Sequence, residues 1–110
     1  LCPSGWHVPS AADWNELVDG LGLEAGYQMK SSESDSPLWN GSNSSGFSGI
    51  PGGGRSNNGD FISLGTNGYW WSTSLDEGYA VYRRLYATGD DAPSHRFWLE
   101  FGASVRCLQD

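Results

Sequence analysis

The sequence predicts one small domain of the α+β class that occupies residues 1–110. One amphipathic stretch near the N-terminus favours a helix, and short segments separated by turn residues favour an antiparallel sheet in the C-terminal half. Six Trp, five Tyr and four Phe supply enough apolar surface for a core to form without much Leu or Ile.

A helix is predicted over about residues 11–20. Ser10 is a suitable N-cap, and Asp13 occupies the capping-box position three residues later, where Asp is a shorter substitute for Glu. The apolar residues that follow recur at helical spacing and form one stripe: Trp14, Leu17, Val18 and Leu21. Gly20 and Gly22 offer left-handed stop positions, so the helix is expected to end there.

The segment 24–59 is rich in Gly, Ser and Asn, and it is too long for an ordinary connection in a compact domain. Its apolar residues are spaced widely along it: Met29, Leu38, Trp39, Phe47 and Ile50. These anchors favour a packed irregular region, with disorder as the alternative. The three consecutive glycines 52–54 lack the spacing of a phosphate-binding loop and indicate tight turning instead.

The remainder of the chain alternates between strand-like segments and turn residues. Strands are expected over residues 61–64, 69–74, 79–87, 95–101 and 103–108. The first two flank residues 65–68, where Asn67-Gly68 tolerates positive φ and so predicts a hairpin. In the fourth strand one face is apolar and the other mixed, through the alternation of Phe97, Leu99 and Phe101 with Arg96, Trp98 and Glu100.

The formal net charge of −7 argues against nucleic acid as a partner, because affinity for phosphate backbones comes largely from Lys and Arg. No apolar run approaches the roughly 18 residues that a membrane-spanning helix needs, so no membrane span is expected.

The two cysteines, Cys2 and Cys107, lie near the two ends of the chain. A disulfide between them would close a loop of about 100 residues and stabilise the fold by roughly 4.7 kcal/mol in the chain-entropy treatment. Such a bridge requires an oxidising compartment. The alternatives are two unrelated buried thiols or a metal site, although no CxxC pattern or nearby His favours a metal.

Five motifs follow one another along nearly the whole chain: CPSGWHVPS at 2–10, GFS at 46–48, PGGGR at 51–55, GYWWSTS at 68–74 and SVRC at 104–107. In their composition and their order, these motifs resemble the Fibrobacter succinogenes major paralogous domain. The resemblance implies a bacterial surface or secreted domain. It also implies a C-type-lectin-like fold, distantly similar to the formylglycine-generating enzyme group, in which the first and last strands pair and bring Cys2 beside Cys107.

The chain departs from the better-known members of that fold in two respects. Trp39-Asn40 is followed by Gly41, so the calcium-chelating motif of sugar-binding lectins is absent. The formylglycine-generating enzymes use a metal-binding cysteine pair in the active site, whereas both cysteines here lie in the first and last motifs. No enzymatic activity is therefore expected from the resemblance.

The surface formed by residues 71–95 is the expected binding face, because strands would hold two loops there. Its Tyr, Asp, Ser and Arg content suits adaptable recognition, with a solvated and charge-balanced face as the alternative. The residues expected to bind a ligand are Trp71, Asp76, Glu77, Tyr79, Arg83, Asp90, Asp91 and His95. Because alternation sends Trp70 and Trp71 to opposite faces of a strand, one of them is a candidate platform for a sugar ring.

No cofactor is expected, although Asp76-Glu77 and Asp90-Asp91 carry oxygens that suit a structural calcium ion; plain solvated charge is the alternative. No Gly-x-Ser-x-Gly motif indicates a nucleophile. The favoured hypothesis is a non-catalytic adhesion or binding module, extracellular or at the cell surface, that recognises a glycan or a surface protein. The alternatives are a structural repeat of a surface fibre, whose partner is another copy of itself, and a modifying enzyme.

Overall fold

The computed structural model describes residues 1–32 and 39–110, which contain two helices and seven strands. In chain order the elements are β1 (Trp6–His7), α1 (Ala11–Leu21), α2 (Ala25–Met29), β2 (Gly54–Arg55), β3 (Phe61–Ile62), β4 (Asn67–Asp76), β5 (Tyr79–Tyr86), β6 (Ser94–Phe97) and β7 (Leu108–Gln109). Strands β4, β5 and β6 form one antiparallel sheet, while β1 pairs with β7 and β2 with β3, also antiparallel. The α+β class is therefore confirmed.

The two ends of the domain are joined by a covalent bond and by strand pairing. A disulfide links Cys2 to Cys107, whose Cα atoms lie 5.9 Å apart, which confirms the predicted bridge and excludes the thiol and metal alternatives. Strand β1 runs antiparallel to β7, with His7 opposite Leu108. The first and last strands therefore pair as the resemblance implied.

Helix α1 confirms the predicted helix and ends at Leu21, one residue later than expected. The Ser10 hydroxyl accepts a hydrogen bond from the backbone N–H of Asp13, and the Asp13 carboxylate accepts one from the backbone N–H of Ser10. The Trp14 side chain is buried, and its indole N–H donates to the carbonyl of Trp71 at 3.2 Å. The capping box thus starts the helix, and Trp14 fixes it against β4.

Helix α2 follows α1 closely, and the sequence does not predict it because five residues are too few to show an apolar repeat. Its Gly26 lies against the backbone of the loop between β5 and β6. A Cβ atom at this position would lie 2.0 Å from the carbonyl oxygen of Asp91. The backbone N–H of Tyr27 donates to the carbonyl of Asp90 at 3.0 Å, so helix and loop are in direct backbone contact.

The described parts of the Gly-rich segment are packed, as the sequence predicts. Met29, Trp39 and Phe47 are all buried. Ile50 is 55% exposed, so the expectation that it anchors the segment is wrong; the adjacent Pro51 is buried in its place. Leu38 lies outside the described residues.

The hairpin predicted at residues 65–68 is wrong. Asn67-Gly68 begins strand β4, and β3 pairs with β2 instead of β4. The chain reverses between β4 and β5, at Glu77 (φ 50°) and Gly78 (φ 84°), two consecutive positive values that a type I′ turn requires. Asn-Gly is the stronger local signal for such a turn, but the long pairing of β4 with β5 decides where the chain reverses.

The last predicted strands are shorter than expected. Strand β5 ends at Tyr86, close to its predicted end, but β6 ends at Phe97 and the chain then turns. This turn brings Phe101 back to Phe97, with 4.9 Å between ring centroids, and leaves Leu99 61% exposed. Leu99 therefore does not belong to the apolar face, and the strand expected at 103–108 is reduced to an isolated bridge at Ser104 and the two residues of β7.

The three-stranded sheet separates two clusters of aromatic side chains. On one face Trp70 packs against Phe47 with 5.4 Å between ring centroids, in the cluster that also holds Trp14. The other face carries a second cluster: Tyr69, Tyr82 and Phe101, with Trp71 and Phe97 packed against it. The two adjacent tryptophans thus lie on opposite faces as expected, and each packs against a different cluster.

His7 connects the paired termini to the start of α1. Its Nδ1 lies 2.7 Å from a carboxylate oxygen of Asp110, and its Nε2 lies 3.2 Å from a carboxylate oxygen of Asp13. The hydrogen bond to Asp110, and then the one to Asp13, raise the pKa of His7 above its ordinary value of 6.5. The pKa of Asp13 is lowered, first by the hydrogen bond from the Ser10 backbone and then by His7.

Reduction of the Cys2–Cys107 bridge is expected to lower the free energy of unfolding by about 2–5 kcal/mol, because the bond closes a long loop in the unfolded chain. Denaturant unfolding of the oxidised and reduced protein measures this difference. The double variant Cys2→Ser/Cys107→Ser is the control and should match the reduced protein with or without reductant. Equal unfolding midpoints for the oxidised and reduced forms would contradict the expectation.

The two His7 hydrogen bonds should make stability depend on pH with a defined sign. Because folding raises the pKa of His7, the contribution is fully present below its unfolded value of 6.5 and is lost as the pH rises through the folded value. The difference in melting temperature between the wild type and His7→Gln should therefore shrink from about pH 6 to about pH 8.5. The variant His95→Gln should not show this trend, since the pKa of His95 is lowered. A constant difference for His7→Gln across the range would refute the assignment.

Two glycines offer a matched test of the α2 contact. Gly26→Ala should destabilise the fold by roughly 1–3 kcal/mol, because its Cβ would collide with the carbonyl of Asp91. Gly20→Ala, in α1, meets nothing within 4 Å and should stabilise by about 0.5–1 kcal/mol through helix propensity. Thermal unfolding of both variants measures these effects. Equal effects of the two substitutions would argue against the close contact.

Candidate functional site

The eight residues predicted to bind a ligand do not form one surface. The structure divides them among the end of the β4–β5 hairpin (Asp76, Glu77 and Tyr79), the region of the β5–β6 loop and β6 (Asp90, Asp91 and His95), and packed positions in the sheet (Trp71 and Arg83). Each group meets a different chemical environment, and the first lies next to a cavity that is lined by aromatic rings and an arginine.

Arg83 is buried and holds neighbouring elements together. It is 5% exposed, and its Nη1 donates to the carbonyl of Ala92 at 2.8 Å while its Nη2 donates to the side-chain oxygen of Asn15. Burial lowers its pKa. Arg83 thus ties β5 to α1 and to the β5–β6 loop, and it presents no charged group to a ligand.

Trp71 is half-buried in the second aromatic cluster. Its ring centroid lies 6.3 Å from that of Tyr82 and 6.0 Å from that of Phe101, both in edge-to-face geometry. This packing leaves Trp71 a poorer platform for a sugar ring than a side chain at the surface.

The end of the hairpin carries two aromatic rings that meet at the surface. The ring centroids of Tyr79 and Trp98 lie 5.6 Å apart with an interplanar angle of 59°, and Trp98 is 50% exposed. A shallow cavity of about 310 Å³ is lined by these two rings together with Arg96 and Phe97. We call Asp76, Glu77, Tyr79, Arg96 and Trp98 the hairpin ledge.

Charged groups border the rings of the hairpin ledge. The Arg96 guanidinium lies 5.1 Å from the centre of the Tyr79 ring, close enough for a cation–π contact. Its Nη1 lies 3.0 Å from a carboxylate oxygen of Glu77 and 3.5 Å from one of Asp76. These ion pairs are exposed, so each contributes little to stability, but they hold donors and acceptors next to an aromatic surface.

Local features of the sequence place these residues. The Glu77-Gly78 turn sets both carboxylates at the end of the hairpin. On β6, Phe97 packs inward against Phe101, so its neighbours on either side, Arg96 and Trp98, are left at the surface. The chain turns away immediately afterwards, which leaves the Trp98 ring free to meet Tyr79.

Three residues of the hairpin ledge are among those that the sequence predicts to bind a ligand, whereas Arg96 and Trp98 are not. The signal for them is present in the alternation of β6, which assigns both to a mixed face. That alternation does not show which neighbouring strand end they meet, because the contact with Tyr79 depends on the β5–β6 register, with Val81 opposite Arg96.

The second group of predicted residues is engaged in local contacts. The Tyr86 hydroxyl donates to the carboxylate of Asp91, and this hydrogen bond is the main reason that the pKa of Tyr86 is raised. The His95 ring stacks on Tyr82 at 5.8 Å between centroids. Burial first, and then the nearby charge of Arg84, lower the pKa of His95, so the imidazole is neutral at pH 7.

The acidic pairs do not converge on a common point. Asp76 and Glu77 both face Arg96, and Asp91 accepts from Tyr86. Among residues 1–32 and 39–110, no three side chains of His, Cys, Asp or Glu come together in a way that would hold a metal ion.

Two other cavities of similar size lie away from the hairpin. One, of about 420 Å³, lies between α1 and the β5–β6 loop, and Asp19 and the predicted site residue Asp91 contribute to its lining. The other, of about 300 Å³, lies beside the disulfide and is lined in part by Trp6, Asp13 and Arg106. Both have mainly apolar walls. The hairpin ledge is the better candidate because two rings in mutual contact, one of them half exposed, adjoin an arginine and two carboxylates there.

Across the described ranges, no helix is long and apolar enough to cross a membrane. No curated protein matches the sequence, and no solved structure matches the chain. The sequence model of the Fibrobacter succinogenes major domain (Fib_succ_major) matches residues 1–109, which is almost the full length. The chain therefore belongs to the Fibrobacter succinogenes major domain family.

Proposed function

We propose that the domain is a non-catalytic binding module that recognises a glycan at the hairpin ledge. The observation that carries this proposal is the pair of surface rings, Tyr79 and Trp98, bordered by two carboxylates and a guanidinium. A pyranose ring has an apolar C–H face and a rim of hydroxyl groups. The hairpin ledge offers a complementary surface to both parts.

The aromatic rings and the charged groups would contact different parts of the sugar. The rings of Tyr79 and Trp98 would gain dispersion contacts and exclude water from the C–H face of the sugar. The carboxylates of Asp76 and Glu77 accept hydrogen bonds, whereas Arg96 only donates them. A sugar hydroxyl could therefore donate to a carboxylate or accept from the guanidinium. The inward packing of Phe97 supports a preformed site, because it fixes the backbone between Arg96 and Trp98.

The absence of catalysis in this proposal rests on where the chemically versatile residues lie. His7 is engaged by Asp13 and Asp110, next to the termini. His95 stacks on Tyr82, on the sheet face opposite that of Arg96. Both cysteines are consumed in the disulfide. These assignments leave the hairpin ledge with groups suited to binding.

The proposal extends to location and fold. A disulfide that joins the ends of a small domain is typical of proteins in oxidising compartments, which supports an extracellular or cell-surface setting. The paired termini, one principal helix and an antiparallel sheet are also compatible with a distant C-type-lectin-like relationship, which we propose for the fold.

A glycan array followed by calorimetry on the best-bound glycan tests the proposal. Trp98→Ala and Tyr79→Ala should each weaken binding about tenfold or more, since each removes one of the two rings that would contact the sugar. Phe61→Ala is the matched control, because Phe61 is a highly exposed ring on a different sheet and its loss should leave affinity unchanged.

Three outcomes would overturn the glycan assignment. The first is an array on which no glycan binds the wild-type domain. The second is a bound glycan whose affinity is the same for the wild type and Trp98→Ala. The third is capture of a protein that depends on Trp98 while glycans do not compete, which would make the hairpin ledge a protein-binding surface. Self-association that depends on Trp98 would favour the fibre alternative.

A further inference from the structure

Arg84 differs from the other basic residues of the chain in having no polar partner in the part of the chain that the structure describes. The chain has six Lys and Arg residues, and five of them use their charged side chains in hydrogen bonds. These five and their acceptors are Lys30 with the carbonyls of Tyr86 and Gly89, Arg55 with that of Gly59, Arg83 with that of Ala92, Arg96 with the carboxylate of Glu77, and Arg106 with the carbonyl of Phe47. Within the described ranges, the Arg84 guanidinium makes no hydrogen bond and no ion pair.

The exposure of individual nitrogens shows how this guanidinium is held. In the described part of the chain, the Nε of Arg84 is the single buried side-chain nitrogen or oxygen without a partner. The two Nη groups are also unpartnered but are not buried, so they reach solvent. The charged group lies 4.6 Å from the centre of the Tyr86 ring. Packing against that ring therefore holds Arg84 in place, while its outer edge stays free.

The surroundings of Arg84 combine tyrosine rings, a histidine and two carboxylates. The register places Tyr69 directly opposite it on β4, and Tyr82 and Tyr86 lie two positions away on the same face of β5. His95, which stacks on Tyr82, feels the charge of Arg84 and is neutral at pH 7. Asp90 and Asp91 are the nearby carboxylates, but Asp91 accepts from Tyr86, and no ion pair among the described residues joins either one to Arg84.

A charged group with an unpaired, partly buried donor is costly unless an acceptor compensates it. The planar guanidinium matches a carboxylate through two parallel N–H···O bonds, a stronger arrangement than bonds between neutral groups. The half-buried Tyr86 ring offers an apolar surface for the rest of a ligand, whereas Tyr69 and Tyr82 are buried in the second aromatic cluster. Arg84 is thus a cation beside one accessible ring on a chain whose net charge is −7.

We propose that Arg84 is the centre of a second binding site, which takes the carboxylate of an acidic sugar of the uronic acid class. This site is separate from the hairpin ledge. Along β5 it lies five residues from Tyr79, about 16 Å, and it is on the opposite face of the sheet. The proposal does not depend on the glycan assignment of the hairpin ledge, since neither site shares a residue with the other.

Calorimetric titration with oligogalacturonate tests the site, with the corresponding neutral galactose oligomer for comparison. The wild type should bind the acidic oligomer about tenfold or more tightly than the neutral one, and Arg84→Gln should lose this preference. Arg55→Gln is the matched control: Arg55 is an exposed arginine on another sheet, and its loss should preserve the preference. Equal affinities of the wild type for both oligomers, or an unchanged preference in Arg84→Gln, would overturn the proposal.

Two further measurements keep the test decisive. The ¹H–¹⁵N signal of the Arg84 side chain in the wild-type domain should shift during the titration, a readout that does not depend on the folding of any variant. A static signal would count against the site. Galactose 6-sulfate should compete at least tenfold more weakly than galacturonate if carboxylate geometry is recognised, and equal competition would refute the carboxylate assignment.

Discussion

The disulfide between Cys2 and Cys107 is the constraint on which the rest of this small domain depends. Most of its strands are very short, and the β1–β7 pair has only two residues on each side. So few hydrogen bonds would not hold two chain ends together against their conformational entropy. The covalent bond removes that cost from folding and allows the pairing, the His7 bridge and the start of α1 to form in one place.

The β4–β5–β6 sheet lies between two aromatic clusters, one packed on each of its faces. This arrangement explains how a domain with long irregular segments can present defined surfaces. Trp70 and Trp71 are adjacent in sequence yet stabilise different clusters. Edge-to-face aromatic pairs add about 0.5–1.5 kcal/mol each beyond burial, so both faces of the sheet are held firmly. The hairpin ledge and Arg84 lie on opposite faces of this sheet.

Features that depend on neighbouring residues are readable from the sequence. The Ser10–Asp13 capping box predicts the start of α1 correctly, and the apolar stripe behind it predicts the helix itself. Cysteines at both ends favour a disulfide because a long closed loop gives a large stabilisation. Residues 79–86 are strand-like in their own right, and they form β5.

Features that depend on long-range contacts cannot be predicted from the sequence in this way. Asn67-Gly68 has the better local preference for a hairpin turn, yet Glu77-Gly78 forms it because β4 and β5 pair over most of their length. Arg83 and Arg84 are adjacent and chemically identical, but Arg83 is buried and bonded, whereas Arg84 has no polar partner among residues 1–32 and 39–110. Only the fold determines which side of β5 faces α1, so the sequence does not show that Arg83, one of the residues predicted to bind a ligand, is buried.

The proximity of the two half-cystines also determines how the domain would respond to tension. A force applied at its ends passes from one end to the other through the covalent Cys2–Cys107 link, and the intervening residues are bypassed. Residues 3–106 would therefore keep their arrangement under such a pull, which would load only the residues outside the link, among them Leu108 and Gln109 of β7. Once the link is reduced, the same pull would also act on the chain between the two cysteines, which would extend to roughly 350 Å.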